Sequence, residues 1–171
     1  MSGSSPEAEL LAAGLRQAEH VATRLERSVS RLAALFPISA QRLPQLAEEE
    51  EDGLDAFLKR FEQLTDLLQT RLFRTVLALE GEEVAVLSRR DAAFLLERLG
   101  ALASADEWAK LVLLRNVLSH EYPEEEERQV DRLNLAFALS TRLLATLAAL
   151  KDHVRRKHLL KGLPGGEVQD S

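Results

Sequence analysis

Residues 54–79 read LDAFLKRFEQLTDLLQTRLFRTVLAL. Leu54, Phe57, Leu58, Phe61, Leu64, Leu68, Leu72, Val76 and Leu79 fall on one face when this stretch is wound at 3.6 residues per turn. A strand pattern would alternate every second residue, and it does not. The stretch therefore predicts one long amphipathic helix, 53–79. Upstream, Leu11, Leu15, Val21, Leu25, Val29, Leu32 and Phe36 repeat the pattern, predicting a helix over 8–36 that Pro37 ends. Residues 37–47 hold Pro37 and Pro44 and read as a loop.

Downstream, Gly81 breaks the second helix and Ser88 starts a short third one, roughly 89–100. Ser104 and Glu107 have capping-box spacing before a fourth helix, 105–121, which Pro123 stops. Pro123 also suits the first position of a fifth helix, with Glu124 to Glu127 in its first turn. That helix carries Leu133, Phe137, Leu144, Leu147 and Val154 over 126–158, with Gly162 as a stop signal. Three helices of about 27–33 residues are roughly 40–50 Å long and must bury long apolar stripes. The expected fold is all-α, an antiparallel bundle of four to five helices. Residues 8–162 form its single domain, between a flexible start at 1–7 and a flexible tail at 163–171.

The composition agrees. The chain has 171 residues, 46% hydrophobic and 29% charged, with 22 Lys+Arg against 28 Asp+Glu and a net charge of −6. That suits one domain with a sizeable core, not a disordered chain. With no cysteine there is no disulfide framework, thiolate metal site or Cys nucleophile. No unbroken run of 18 apolar residues occurs, so no membrane span is expected. The polar, acidic opening MSGSSPEAE does not read as a signal peptide, which makes a cytoplasmic location the expectation. No Gly-rich phosphate loop, nucleophile elbow or dinucleotide fingerprint occurs.

The charges are clustered. The runs 48–52 and 124–127 hold nine of the 28 acids, and without them the balance would be basic. An acidic run before a helix suits the positive end of its dipole, and a basic partner would suit it as well. Lys151 to Lys161 has five Lys/Arg against one Asp, which suits a helix C-terminus or an RNA contact. His20, His153 and His158 read as surface residues.

Residues 105–123 carry more than a core pattern. Trp108, Leu111, Val112, Arg115, Leu118 and Ser119 share one broad face, so Arg115 lies inside an apolar stripe. Leu113 and Val117 point the other way, so this helix is central in a core or shared with a second subunit. A cation in that stripe requires an acid, such as Glu62, or solvent in a cleft. Asn116 and His120 are four apart, so an Asn116 amide can fix the His120 tautomer. Arg115 and His120 lie about 140° apart, and two copies about a two-fold axis can bring both pairs around one cleft. There a neutral His takes a proton from a ribose 2′-OH, a protonated His serves the leaving oxygen, and Arg binds the phosphate. That is RNA cleavage without a metal or other cofactor.

Arg115-Asn116-x-x-x-His120-x-Tyr122 resembles the RNxxxHxY form of the HEPN superfamily signature. Glu107-Trp108 upstream, Arg60-Phe61-Glu62 on the second helix, Ser119, and the acids after Tyr122 extend the resemblance over roughly 50–150. The branch it looks like holds HepT-type toxins and helical substrate-binding subunits of nucleotidyltransferases. The resemblance implies a homodimer formed through the motif helix, with Arg115 and His120 catalytic in a metal-independent endoribonuclease. Asn116, Ser119 and Glu62 would support them. It also implies a cognate minimal nucleotidyltransferase antitoxin, in a type VII-like pair, that adenylylates Tyr122. The substrate class is RNA, not DNA. A non-catalytic partner subunit of a nucleotidyltransferase is the alternative, and Tyr122 also reads as an aromatic plug at the bundle end.

Overall fold

The structure, a computed structural model, describes residues 5–119 and 125–163. It is an all-α bundle, with no strand among those residues. The elements are α1 (Pro6–Leu32), α2 (Glu48–Asp66), a π-helical turn (Leu67–Leu72), α3 (Phe73–Leu79), α4 (Arg89–Leu99), α5 (Ala105–Leu118) and α6 (Glu126–Arg156). The segments α2, π turn and α3 run on without a break and form the central rod. The core lies where α1 runs along this rod and α6 and α5 cross it. Phe57, Phe61, Leu64, Leu68, Leu72 and Val76 of the rod are fully buried, against Leu11, Ala18 and Leu25 of α1.

The π turn has a local cause. Leu64, Leu68, Leu72 and Val76 step by four each time and all have 0% exposure, with Thr65 and Phe73 buried beside them. An α-helix advances 3.6 residues per turn, so steps of four drift off the core. One wider turn with i→i+5 bonding absorbs the drift. Within it the Thr70 hydroxyl donates to the Asp66 carbonyl at 2.7 Å. Gly14 of α1 faces this turn: a Cβ there would lie 2.8 Å from Leu72 Cδ2.

The boundaries differ from expectation in explicable ways. The acids 48–51 form the first turn of α2 instead of preceding it. Glu50 reaches back to accept from the Ala47 N–H at 2.9 Å and holds Arg42 through both carboxylate oxygens at 2.9 Å. α1 ends at Leu32, before Phe36, whose ring stacks on Phe137 with centroids 4.0 Å apart. The loop after it is tied to α6 by Asn134, which accepts from the Ile38 N–H at 2.8 Å and donates to its carbonyl at 2.9 Å. α6 starts at Glu126 and stops at Arg156, ahead of Gly162. His158 takes the left-handed position (φ 51°), and the Leu159 N–H reaches the Val154 carbonyl at 3.1 Å, closing a Schellman-type end.

Ser88 caps α4 as expected, accepting from the Asp91 N–H at 3.0 Å. Ser104 makes only half of its capping box. It accepts from the Glu107 N–H at 3.2 Å, while Glu107 turns outward to Lys110, at 2.7 Å, and to Arg142. Glu97 supplies the other cap, accepting from the Ala105 N–H at 2.5 Å.

Among the described residues one helix, α6, is long and apolar enough to cross a membrane by length and composition. The absence of an unbroken apolar run hid this, because residues 133–150 carry a single charge, Arg142, among small and apolar residues. In the bundle Leu133, Ala136, Ser140, Leu143, Leu147 and Leu150 are buried at steps of three or four, as a core helix requires.

Candidate functional site

α5 brings the expected arginine to the rod. Trp108, Leu111 and Leu114 are buried, and Trp108 meets Phe73 edge-on with centroids 4.8 Å apart. That anchor fixes the rotation of α5, so Arg115, seven residues after Trp108, lies two turns further along the same face. Its side chain keeps 25% of its exposure. Nη2 donates to Asp66 Oδ2 at 2.6 Å, and Nη1 donates to the Ser119 hydroxyl at 2.9 Å. The Ser119 hydroxyl lies 3.1 Å from Glu62 Oε1 and 3.0 Å from the Arg115 carbonyl, the two acceptors for its one proton. Arg115 Nε is buried and has no acceptor among the described residues.

The direct acid partner is therefore Asp66, not Glu62. The two acids are four apart on one face of α2, and Glu62 acts at one remove, through Ser119 and its charge. The Asp66 hydrogen bond raises the guanidinium above its ordinary value. Burial opposes this, and the charges of Asp66 and Glu62 add to it. Arg115 is thus a fixed, partly exposed cation, with a carboxylate on one arm and a hydroxyl on the other. The rest of its five-donor fork has no acceptor among the described residues. It can bind an anion, and the anion must share the fork with Asp66.

Asn116 is exposed and points about 100° away from Arg115, toward α4. His120 and Tyr122 lie outside the described residues, as do Glu121, Pro123 and Glu124. Arg115, Ser119 and Glu62 come together, then, and Asn116 stands apart from them. Asp66 was missed, although its place one turn beyond Glu62 on the same face was a usable signal.

Two other expectations change. His153 is fully buried, with Nε2 2.5 Å from Glu80 Oε1 and Nδ1 unpartnered. It ties α6 to the end of α3 and is not a surface residue, whereas His20 and His158 are exposed. The basic end of α6 is partly neutralised. Asp152 pairs with Arg155 at 2.6 Å and Arg156 at 2.7 Å, and Lys151 pairs with Glu19 at 2.5 Å. Among the described residues no three His, Asp or Glu side chains group as metal ligands.

Comparison of the chain with known protein families, with curated proteins and with solved structures gave no match.

Proposed function

We propose that this chain is a HEPN-type toxin component, a cytoplasmic, metal-independent endoribonuclease with Arg115 and His120 as its catalytic residues. The observation that carries the reading is Arg115 itself: a partly exposed cation held by Asp66 and Ser119, five residues before His120 in the sequence. Arg115 binds the scissile phosphate. His120 moves the proton between the ribose 2′-OH and the leaving oxygen, and Asn116 orients it. A two-fold pairing through α5 supplies the second His120 and Arg115. Tyr122 is the site at which a minimal nucleotidyltransferase partner adds AMP. The added phosphate competes for the Arg115 position and silences cleavage.

The test is cleavage of total RNA in EDTA by wild type, Arg115→Ala and His120→Ala, with folding followed by circular dichroism. Wild type cuts and both variants fold but do not cut. Cleavage that stops with chelator, or persists in both variants, overturns the assignment. Intact mass after co-expression with the partner tests Tyr122: wild type gains AMP and Tyr122→Phe does not.

A second reading, a non-catalytic partner subunit of a nucleotidyltransferase, is favoured by one observation. Asp66 and Glu62 already offset the charge of Arg115. A folded wild type that leaves all RNA intact and co-purifies with the nucleotidyltransferase establishes it.

A further inference from the structure

A concave surface lies between α4 and α5, with a volume of about 390 Å³. α4 turns back at Gly100, which has φ 80°, so its C-terminal end meets the start of α5. The N-terminal end of α4, with Arg89 and Arg90, then lies along the groove with Asn116. Phe94 is 37% and Leu113 65% exposed, the second being the most exposed leucine of the bundle. The Arg90 guanidinium sits over the Phe94 ring, 5.6 Å from its centroid. Among the described residues neither Arg89 nor Arg90 has a carboxylate partner, unlike Arg42, Arg115, Arg142, Arg155 and Arg156. The amides of Gln69 and Asn116 line the same groove. Among the described residues lining the groove the one acid is Asp106, in the first turn of α5.

An aromatic face with an arginine stacked on it, a second free arginine, and two amides form one chemical set. The flat apolar surface stacks a base, the amides meet its polar edge, and the free cation meets a phosphate. We infer that the α4–α5 groove is a nucleotide subsite for single-stranded RNA, in which a base stacks on Phe94 and Arg90 while Arg89 meets the adjoining phosphate. The inference rests on the ribonuclease reading for its choice of RNA, and it supplies what that site lacks. Arg115 faces the acids of α2, so cations elsewhere must hold the strand. Asn116 stands between the two surfaces, so a strand in the groove passes the end of α5 where the motif continues. The charge pattern suits RNA better than an acidic peptide, because the groove joins its cations to a stacking face and to paired amide donors and acceptors.

The experiment is fluorescence anisotropy with a labelled single-stranded RNA of about ten nucleotides, within the usual span of such sites. It uses the full chain carrying His120→Ala, so that the RNA stays intact. Phe94→Leu keeps the apolar contact and removes the ring, and it weakens binding about five- to tenfold. Arg89→Gln with Arg90→Gln weakens binding and flattens its salt dependence by about 0.7 in log–log slope for each arginine that meets a phosphate. Sedimentation of the same variants shows unchanged mass.

The proposal is overturned if the parent does not bind the RNA, or if both variants bind as the parent does. It is also overturned if their weakened binding tracks loss of a dimer, which would make the groove a contact between copies. Failure of the ribonuclease reading looks different. If wild type cuts RNA and the groove variants bind normally, only the groove idea fails. If the variants weaken binding but wild type cuts nothing, the subsite stands without the enzyme.

Discussion

Two polar pairs hang on the same central rod and differ in what surrounds them. At the end of α3, Glu80 meets His153 of α6, with side-chain exposures of 12% and 0%. At the end of α2, Asp66 meets Arg115 of α5, with exposures of 41% and 25%. Both distances are short, at 2.5 and 2.6 Å, and each pair leaves one buried nitrogen without a partner. The difference is water. A dry pair cannot lose a partner without stranding the other, so it is structural. A partly exposed pair can exchange its acid for solvent or for a ligand anion at small cost, so it is available for chemistry. Short distance alone does not separate structure from function; exposure does.

The largest stability effect is expected at the dry pair. Glu80→Leu leaves the fully buried His153 ring without the one acceptor it has among the described residues. That costs about 2–3 kcal/mol, within the range for stranded buried polar groups. At about 2–4 °C per kcal/mol for a chain of this size, the melting temperature falls by roughly 5–10 °C. Adding His153→Leu should restore most of it, because removing both partners strands neither. A fall under about 1 °C for Glu80→Leu, or no recovery in the double variant, breaks the comparison.

Gly14→Ala probes the rod between the pairs. Alanine in a helix interior normally gains about 1 kcal/mol over glycine. Here the new methyl sits 2.8 Å from Leu72 Cδ2 and 3.3 Å from Arg71 Cδ. Leu72 is fully buried and has little room to move. Overpacking of that kind costs about 1–3 kcal/mol, so the net expectation is a loss of about 1 kcal/mol. A gain in melting temperature would show that the π turn yields.

The wet pair should respond weakly in stability and strongly in RNA binding. Asp66→Asn changes stability by about 1 kcal/mol or less, since water reaches both partners. It frees the Arg115 fork from a competing negative charge, so affinity for RNA should rise in the His120→Ala background. Unchanged or lower affinity would show that Arg115 meets no phosphate and serves only the α2–α5 contact.

The bundle was legible in the sequence because its helices are long and their stripes repeat every three to four residues. The stripe of residues 54–79 marked the rod face correctly, and Ser88 marked the start of α4. The π turn was written in the steps of four from Leu64 to Val76, but a helix assignment tolerates that drift. His153 was misread for a different reason. Its partner Glu80 is 73 residues away, on another helix, and no local pattern connects them. The need of Arg115 for an acid was readable from its place in an apolar stripe. Which acid was not, because Glu62 and Asp66 share a face and only the height of α5 against the rod chooses between them. The groove was hidden because Phe94 looks like an ordinary stripe residue until the rotation of α4 is known, and because Leu113, off the Arg115 stripe, reads as a contact with the core or a second subunit.

The smallest expected effect lies at the wet extreme, near the end of α6. The Asp152 carboxyl is held below the ordinary aspartate range, first by the hydrogen bond from Arg155, then by that from Arg156, with the charges of both adding. A carboxyl lowered in the folded state stabilises the fold above its unfolded value, about 3.9, and loses that stabilisation as the pH falls through the folded value. An acid near a helix C-terminus opposes the dipole. The downward direction shows that the two arginines outweigh it. Asp152→Asn removes the titration while leaving the arginines in place. The melting-temperature advantage of wild type over Asp152→Asn should therefore be larger at neutral pH than near pH 3, and salt should shrink it further through screening. A difference that is the same at both pH values would mean that the two arginines hold Asp152 no better in the folded chain than in the unfolded one. An exposed pair would then carry no measurable share of stability, which sharpens the contrast with Glu80 and His153.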